Sequence, residues 1–449
     1  MTCSLPSLER ALMAGVLVLL LWIPLPQGSN RDWSIALLVL FCAVLGLGWA
    51  INRYRRNRAV GPTLKAGLPM LGLLLLSQVW VLIQCLSGRT ADLAASFEAL
   101  MLGLAYGLLF LLVVDLFRTR RRLTLLLGCL VVSGTLQAFY GAAMTLSGVE
   151  WGFLQSKTAY IGHATGTFIN RNHLAGYLEL TMAAGIGLLL ALRDERPFSW
   201  VNLLEMLLGP KARLRLALVV MVIALVMSHS RMGNTAFFTS LLLVGGLFLL
   251  LNRQHRLRNG LILASLILID LLIISQYFGL EKLADRLSST QLQADLSSQG
   301  VVLEANDLRA QVYEDAIQLL HERWWDGHGA GSFEVVFPRV ASAQIDAAFD
   351  HAHNDYLQFL IEYGVLGSLP LAAFVLLALF HAVRAMWMRE STYRSGVGAG
   401  VLLALIALLL HAFVDFNLQI PANAATFVVC CALAVLASEH FRERRAQPR

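Results

Sequence analysis

The sequence predicts an all-α polytopic membrane protein with about twelve transmembrane helices and one large outward-facing loop carrying an amphipathic helix. Three observations predict it. Of 449 residues, 57% are hydrophobic and 14% charged, where an ordinary soluble protein carries about 25% charged residues. Apolar runs of about 17–24 residues recur along the chain, each long enough to cross a hydrocarbon core about 30 Å thick. The basic residues cluster between those runs, so the net charge of +6 records membrane topology and not nucleic-acid binding.

The spans fall near 11–26, 33–51, 66–86, 96–117, 123–147, 173–192, 215–230, 233–251, 260–278, 364–387, 396–412 and 422–438, within a single integral membrane domain over 1–449. The first span ends in WIPLP without a small-residue cleavage site and is expected to be retained. With a cytoplasmic amino terminus, RYRRNR (53–58), RTRRR (118–122), NRQHRLR (252–258) and RERRAQPR (442–449) all lie inside. This topology places 25 of the 35 Lys and Arg residues inside and 10 outside, so both termini are expected in the cytoplasm. The six cysteines show neither a disulfide framework nor a zinc-binding spacing.

The longest loop, 279–352, then faces outward. Within it LRAQVYEDAIQLLHERWW (308–325) puts Leu308, Val312, Ala316 and Leu319 on one helical stripe, which predicts a helix lying across the membrane surface. A glycine-rich turn, GHGAGSF (327–333), follows it. A second outer loop carries GHATGTFINRNH (162–173), and the short 413–420 segment opens on the same face.

The ionisable residues gather there. His353 stands just before the tenth span in HAHNDYLQFLIEYGVLG (351–367), where a neutral imidazole suits a general base near pH 7. The competing reading is a polar helix start, with Asn354 or Asp355 as cap. His351 and His353 are two residues apart and would not share a helix face as metal ligands. Arg231, in SHSRMGN (228–234), is costly at a span end unless it reaches water or a partner. It suits an anionic group, because guanidinium matches phosphate oxygens bidentately. Arg309 and Arg171 are candidates to join it, although Arg309 has Asp307 and Glu314 nearby as salt-bridge partners. His173, with His163, Asn170 and Asn172, serves equally to satisfy a tight polar loop. His411 and Asp415 are supporting candidates, or staple two helices. The chain carries no GxxxxGK[ST] and no HExxH. Its first outer loop, SNRDW, has a lone Asp32 and no DxD pair, so chemistry without metal or cofactor is expected.

Together GTFINRNHLAGYLEL (166–180), SHSRMGN, the Arg309-x-x-x-Tyr313 helix followed by GHGAGSF, HAHNDYLQFLIEYGVLG and HAFVDFNLQIPANA (411–424) resemble the O-antigen ligase and polymerase superfamily, from about 150 to 425. The most specific piece is the His353–Asn354 pair with Gly364 and Gly367 at their set spacing. Met232 departs from the pattern, where many relatives have a second glycine. The resemblance implies a metal-independent, inverting glycosyltransferase at the periplasmic face of the bacterial inner membrane. Its donor would be a glycan on undecaprenyl pyrophosphate, and its acceptor lipid A–core in a ligase or the growing polysaccharide in a polymerase. The residue matching His353 would activate the acceptor hydroxyl, and those matching Arg231 and Arg309 would bind pyrophosphate. A transporter of lipid-linked sugars is the alternative from another class, but it would place polar groups near mid-membrane.

Overall fold

The computed structural model describes residues 7–57, 59–152, 154–192, 210–252 with 256, 260, 261, 263, 264 and 268, then 305–342, 349–388 and 391–439. Thirteen α-helices are described: α1 (Ser7–Trp22), α2 (Asp32–Arg56), α3 (Pro62–Leu86), α4 (Leu93–Leu116), α5 (Arg120–Ser147), α6 (Arg171–Ala191), α7 (Pro210–Met227), α8 (Arg231–Leu251), α9 (Ala305–Arg323), the single turn α10 (Phe333–Val336), α11 (Asp355–Trp387), α12 (Thr392–His411) and α13 (Pro421–Ser438). Among the described residues nine are long and apolar enough to cross a membrane: α2–α6, α8 and α11–α13. These correspond to nine of the twelve expected spans, and the expected span 215–230 falls on α7. Helix α1 has 16 residues, and most of the expected span 260–278 lies outside the described residues.

Short polar side chains set where the helices begin. Asp92 accepts from the Ala94 and Ala95 amides, and Thr119, Asn170, Ser230, Asn354 and Ser391 cap α5, α6, α8, α11 and α12 in the same way. Each satisfies an amide that the first helical turn leaves without a partner.

Burial separates inner helices from outer ones. The apolar windows of α6 and α13 are 100% buried, whereas that of α2 is 22% buried. An apolar helix exposed on most of its surface is stable in lipid. Helix α6 lies against α12 at a glycine contact: a Cβ on Gly187 or Gly400 would meet the backbone of the other helix. Such small residues let two helix backbones approach closely.

The connecting segments collect at two ends. At one end lie the basic clusters, with Glu9 paired to Arg122 at 2.9 Å, Asp115 3.6 Å from Arg53, and the Arg120 guanidinium over the Tyr393 ring. At the other, Thr167 Oγ1 donates to the Pro24 carbonyl, the Ala91 amide to the His328 carbonyl, and the Leu418 amide to Asp355. All the candidate histidines sit at this second end.

Helix α9 carries the expected apolar stripe, but with a different partner. Val312, Ala316 and Leu319 are fully buried against Phe333, Val336, Phe337 and Ile361. The stripe thus packs on α10 and the start of α11 and not on a bilayer surface. The Leu308 side chain lies outside the described residues.

Helix α11 breaks at Gly364, whose φ of 61° and ψ of −175° leave the helical region. The break frees backbone groups, and each finds a partner. The Val365 and Leu366 amides donate to the Trp324 and Trp325 carbonyls, and His328 and Gly329 donate to the Ile361 and Glu362 carbonyls. Helix α3 supplies the rest: Trp80 Nε1 donates to the Tyr363 carbonyl at 2.8 Å, Gln84 Nε2 to the Glu362 carbonyl at 3.0 Å, and Ser77 to the Gly367 carbonyl at 3.0 Å. A Cβ on Gly327 or Gly364 would collide with this backbone crossing, which accounts for both glycine signals in the sequence.

Candidate functional site

The site begins with the residues just ahead of α11. Asn354 caps the helix by accepting from the Leu357 amide at 3.1 Å. Asp355, fully buried, accepts from the Leu418 amide at 3.0 Å and from Gln419 Nε2 at 3.3 Å, which ties the 412–420 segment to α11. His353 has a φ of 50°, a conformation costing a residue with a side chain about 1–3 kcal/mol unless its surroundings fix it. Here Tyr313 of α9 donates to the His353 carbonyl at 2.6 Å. The large loop thereby holds the backbone of the candidate base.

Asp415 lies at the centre, 1% exposed. Its Oδ1 is 3.8 Å from His173 Nε2 and 3.9 Å from His353 Nδ1. Its Oδ2 is 3.9 Å from His411 Nε2. These separations exceed hydrogen-bond length but sustain charge interaction in a buried setting. Burial pushes the Asp415 carboxyl up, yet the facing imidazoles of His173, His411 and His353 outweigh it and hold the group below the ordinary carboxylate range.

Phe416 organises the rings. His351 stacks on it with centroids 4.2 Å apart, and His173 and His353 meet it edge-on at 4.6 and 4.8 Å. His351 is also hydrogen-bonded to Gln358 at 3.0 Å, and burial pushes its imidazole below the ordinary histidine value. The rings surround Phe416 and Asp415, and among the described residues no three His, Cys, Asp or Glu side chains converge as metal ligands do.

The cations lie to the side of this cluster. Arg171, at the start of α6, reaches His163 Nδ1 at 3.3 Å and the face of Tyr160. His163 Nδ1 is 2.9 Å from His229 Nδ1. A guanidinium only donates, so the His163 nitrogen accepts and His229 Nδ1 is the donor. Burial, with Arg171 and His229 beside it, pushes the His163 imidazole down to about 4. Arg231 is exposed at the first turn of α8, and Gly233 of that helix packs against Ala175 of α6. The first turns of α6 and α8 are therefore neighbours. Arg309 lies one turn before Tyr313 in α9, and its side chain is outside the described residues.

Six expected residues thus meet: His173, His351, His353, Asn354, His411 and Asp415. Sequence reasoning passed over Phe416, His229 and Glu179. Glu179 Oε1 lies 2.7 Å from His411 Nδ1. Its signal was present, since a carboxylate inside an apolar span is a functional candidate by default.

Membrane-length helices with an imidazole-rich, charged cluster at one end define a polytopic membrane protein with an ionisable site at the ends of its helices. Residues 216–372 match the family model described as O-antigen ligase, and this supports membership of the O-antigen ligase superfamily. The matched stretch includes Arg231, Arg309, His353 and Gly364, while Arg171, His173, His411 and Asp415 lie outside it. It supports an enzyme of the ligase or polymerase type in general, with lipid-linked glycan and polysaccharide partners. A search among curated proteins finds no match.

Proposed function

We propose that the protein is an O-antigen ligase-like glycosyltransferase of the bacterial inner membrane, moving a glycan from undecaprenyl pyrophosphate to a hydroxyl of lipid A–core on the periplasmic side. The observation that carries this reading is His353, with only 16% of its side chain exposed and its Nδ1 3.9 Å from the buried Asp415. The buried carboxylate stabilises the imidazolium that forms when His353 takes up a proton.

In the proposed step His353 takes the acceptor hydroxyl proton as that oxygen bonds to the anomeric carbon from the side opposite the pyrophosphate. The bond from that carbon to the pyrophosphate oxygen breaks, and its electron pair leaves with the pyrophosphate, which inverts the anomeric centre. Arg231, with Arg309 and Arg171, would hold the leaving group, since fixed cations stabilise charge where it develops. The gathering of the imidazoles at one end of the bundle favours an enzyme over a transporter.

Surface glycans from a deletion strain complemented with wild type or His353→Ala test the reading on gels. Loss of long chains from lipid A–core in the variant, with polymer left on the carrier lipid, is the result expected of a ligase. Single repeat units on the core would make the protein an O-antigen polymerase using the same site. An unchanged ladder would contradict both and direct attention to exopolysaccharide or transport.

A further inference from the structure

Resting on that reaction, we propose that Glu179 is a positioning residue for His353: by pairing with His411 it reserves the Asp415 carboxylate for the charge that His353 gains. Four ionisable groups from four segments form an alternating series. Glu179 of α6 bonds His411 of α12 at 2.7 Å, His411 faces Asp415 at 3.9 Å, and Asp415 faces His353 at 3.9 Å. Glu179 and His411 are 0% and 1% exposed. Burying an ion pair gains little stability over apolar packing, so a role in the site is the better account of this pair.

The geometry describes a competition. Asp415 faces three imidazoles, and a charged His411 without a carboxylate of its own would draw on it. Glu179 is both nearer and within hydrogen-bond length, so it outcompetes Asp415 for His411. The remaining groups facing the series are His173 of α6, His351 of the segment before α11, and Asp355 of α11, whose side-chain oxygens accept from Leu418 and Gln419. His411 Nε2, His173 Nε2 and Glu179 Oε2 have no hydrogen-bond partner among the described residues, so charge, and not a bonded chain, couples the groups. No proton passes through Glu179. The proton leaves the acceptor hydroxyl and stays on His353.

The test uses the full chain in nanodiscs, with an undecaprenyl-pyrophosphate-linked glycan and an acceptor lipid. Glu179→Gln is expected to lower kcat on the order of tenfold to a hundredfold, with the donor KM within about twofold. The acid limb of its pH–rate profile should move to lower pH, because His411 now shares Asp415 and His353 becomes a weaker base. Removing the competitor should reverse this, so Glu179→Gln with His411→Gln should recover rate and limb position. A structural defect would not be rescued in that way. Wild-type kcat and profile in Glu179→Gln, or a double variant worse than the single one, would overturn the proposal. Infrared spectra supply a readout independent of transfer: His411→Gln alone should show a protonated carboxyl band that the double variant lacks. Absence of that band overturns the pairing, whereas its presence with no transfer by wild type upholds the pairing and rejects the glycosyltransferase reading.

Discussion

Three imidazoles touch one phenylalanine ring, and that contact fixes the arrangement of the site at the scale of the residue. Phe416 holds His173, His351 and His353 around Asp415. The sequence showed the histidines and the aspartate, but their convergence on Phe416 depends on segments more than sixty residues apart and could not be read from spacing. A second pair makes a separate prediction. His163 is held neutral in the fold down to about 4, against an ordinary value of about 6.5. Between those values the unfolded chain binds the proton and the folded one does not, so stability falls as pH drops through this window and is fully present above it. Hydrogen-exchange protection of residues 157–173, corrected for the intrinsic pH dependence of amide exchange, is expected to fall from pH 6.5 towards 4, and His163→Asn should flatten the dependence. An equally steep dependence in His163→Asn would dissociate the effect from this imidazole.

At the scale of the element, the break in α11 anchors the described part of the large loop that precedes it. Glycine spacing at 327–331 and 364–367 was legible in the sequence, as was a cap at Asn354 or Asp355, of which the structure uses Asn354. The crossing of the two glycine segments was not, because it depends on carbonyls satisfied from α3 by Trp80 and Gln84. Helix α9 shows the same division. Its stripe at Val312, Ala316 and Leu319 was readable from period alone, but apolar period does not say whether lipid or protein will cover it. Gly364→Ala is expected to destabilise the protein by at least about 1–3 kcal/mol through its positive φ, with the collision against Trp325 and Gly327 adding to this. Thermal unfolding in detergent measures it, and an unchanged midpoint would show that the crossing relaxes without cost.

At the scale of the whole molecule, charge sorts the ends. Arg53, Arg118 and Arg122 form the network with Glu9 and Asp115 at one end, and the imidazoles occupy the other. Hydropathy and basic clusters made this division legible from composition. The number of spans was less so, since most of 260–278 lies outside the described residues. The proposed topology places the histidine end in the periplasm. Leu154 and Tyr54 are 82% and 88% exposed at opposite ends, so single cysteines there report the sides. A membrane-impermeant thiol reagent is expected to label Leu154→Cys in intact spheroplasts and Tyr54→Cys only after permeabilisation, and the reverse pattern would invert the topology.

The most direct measurement is transfer of a labelled glycan from undecaprenyl pyrophosphate to lipid A–core by the purified protein, wild type beside His353→Ala. A new glycosidic bond is expected with the wild type, and none above background with a variant that is folded to the same thermal midpoint. Transfer by His353→Ala at the wild-type rate would contradict the central role given to this imidazole.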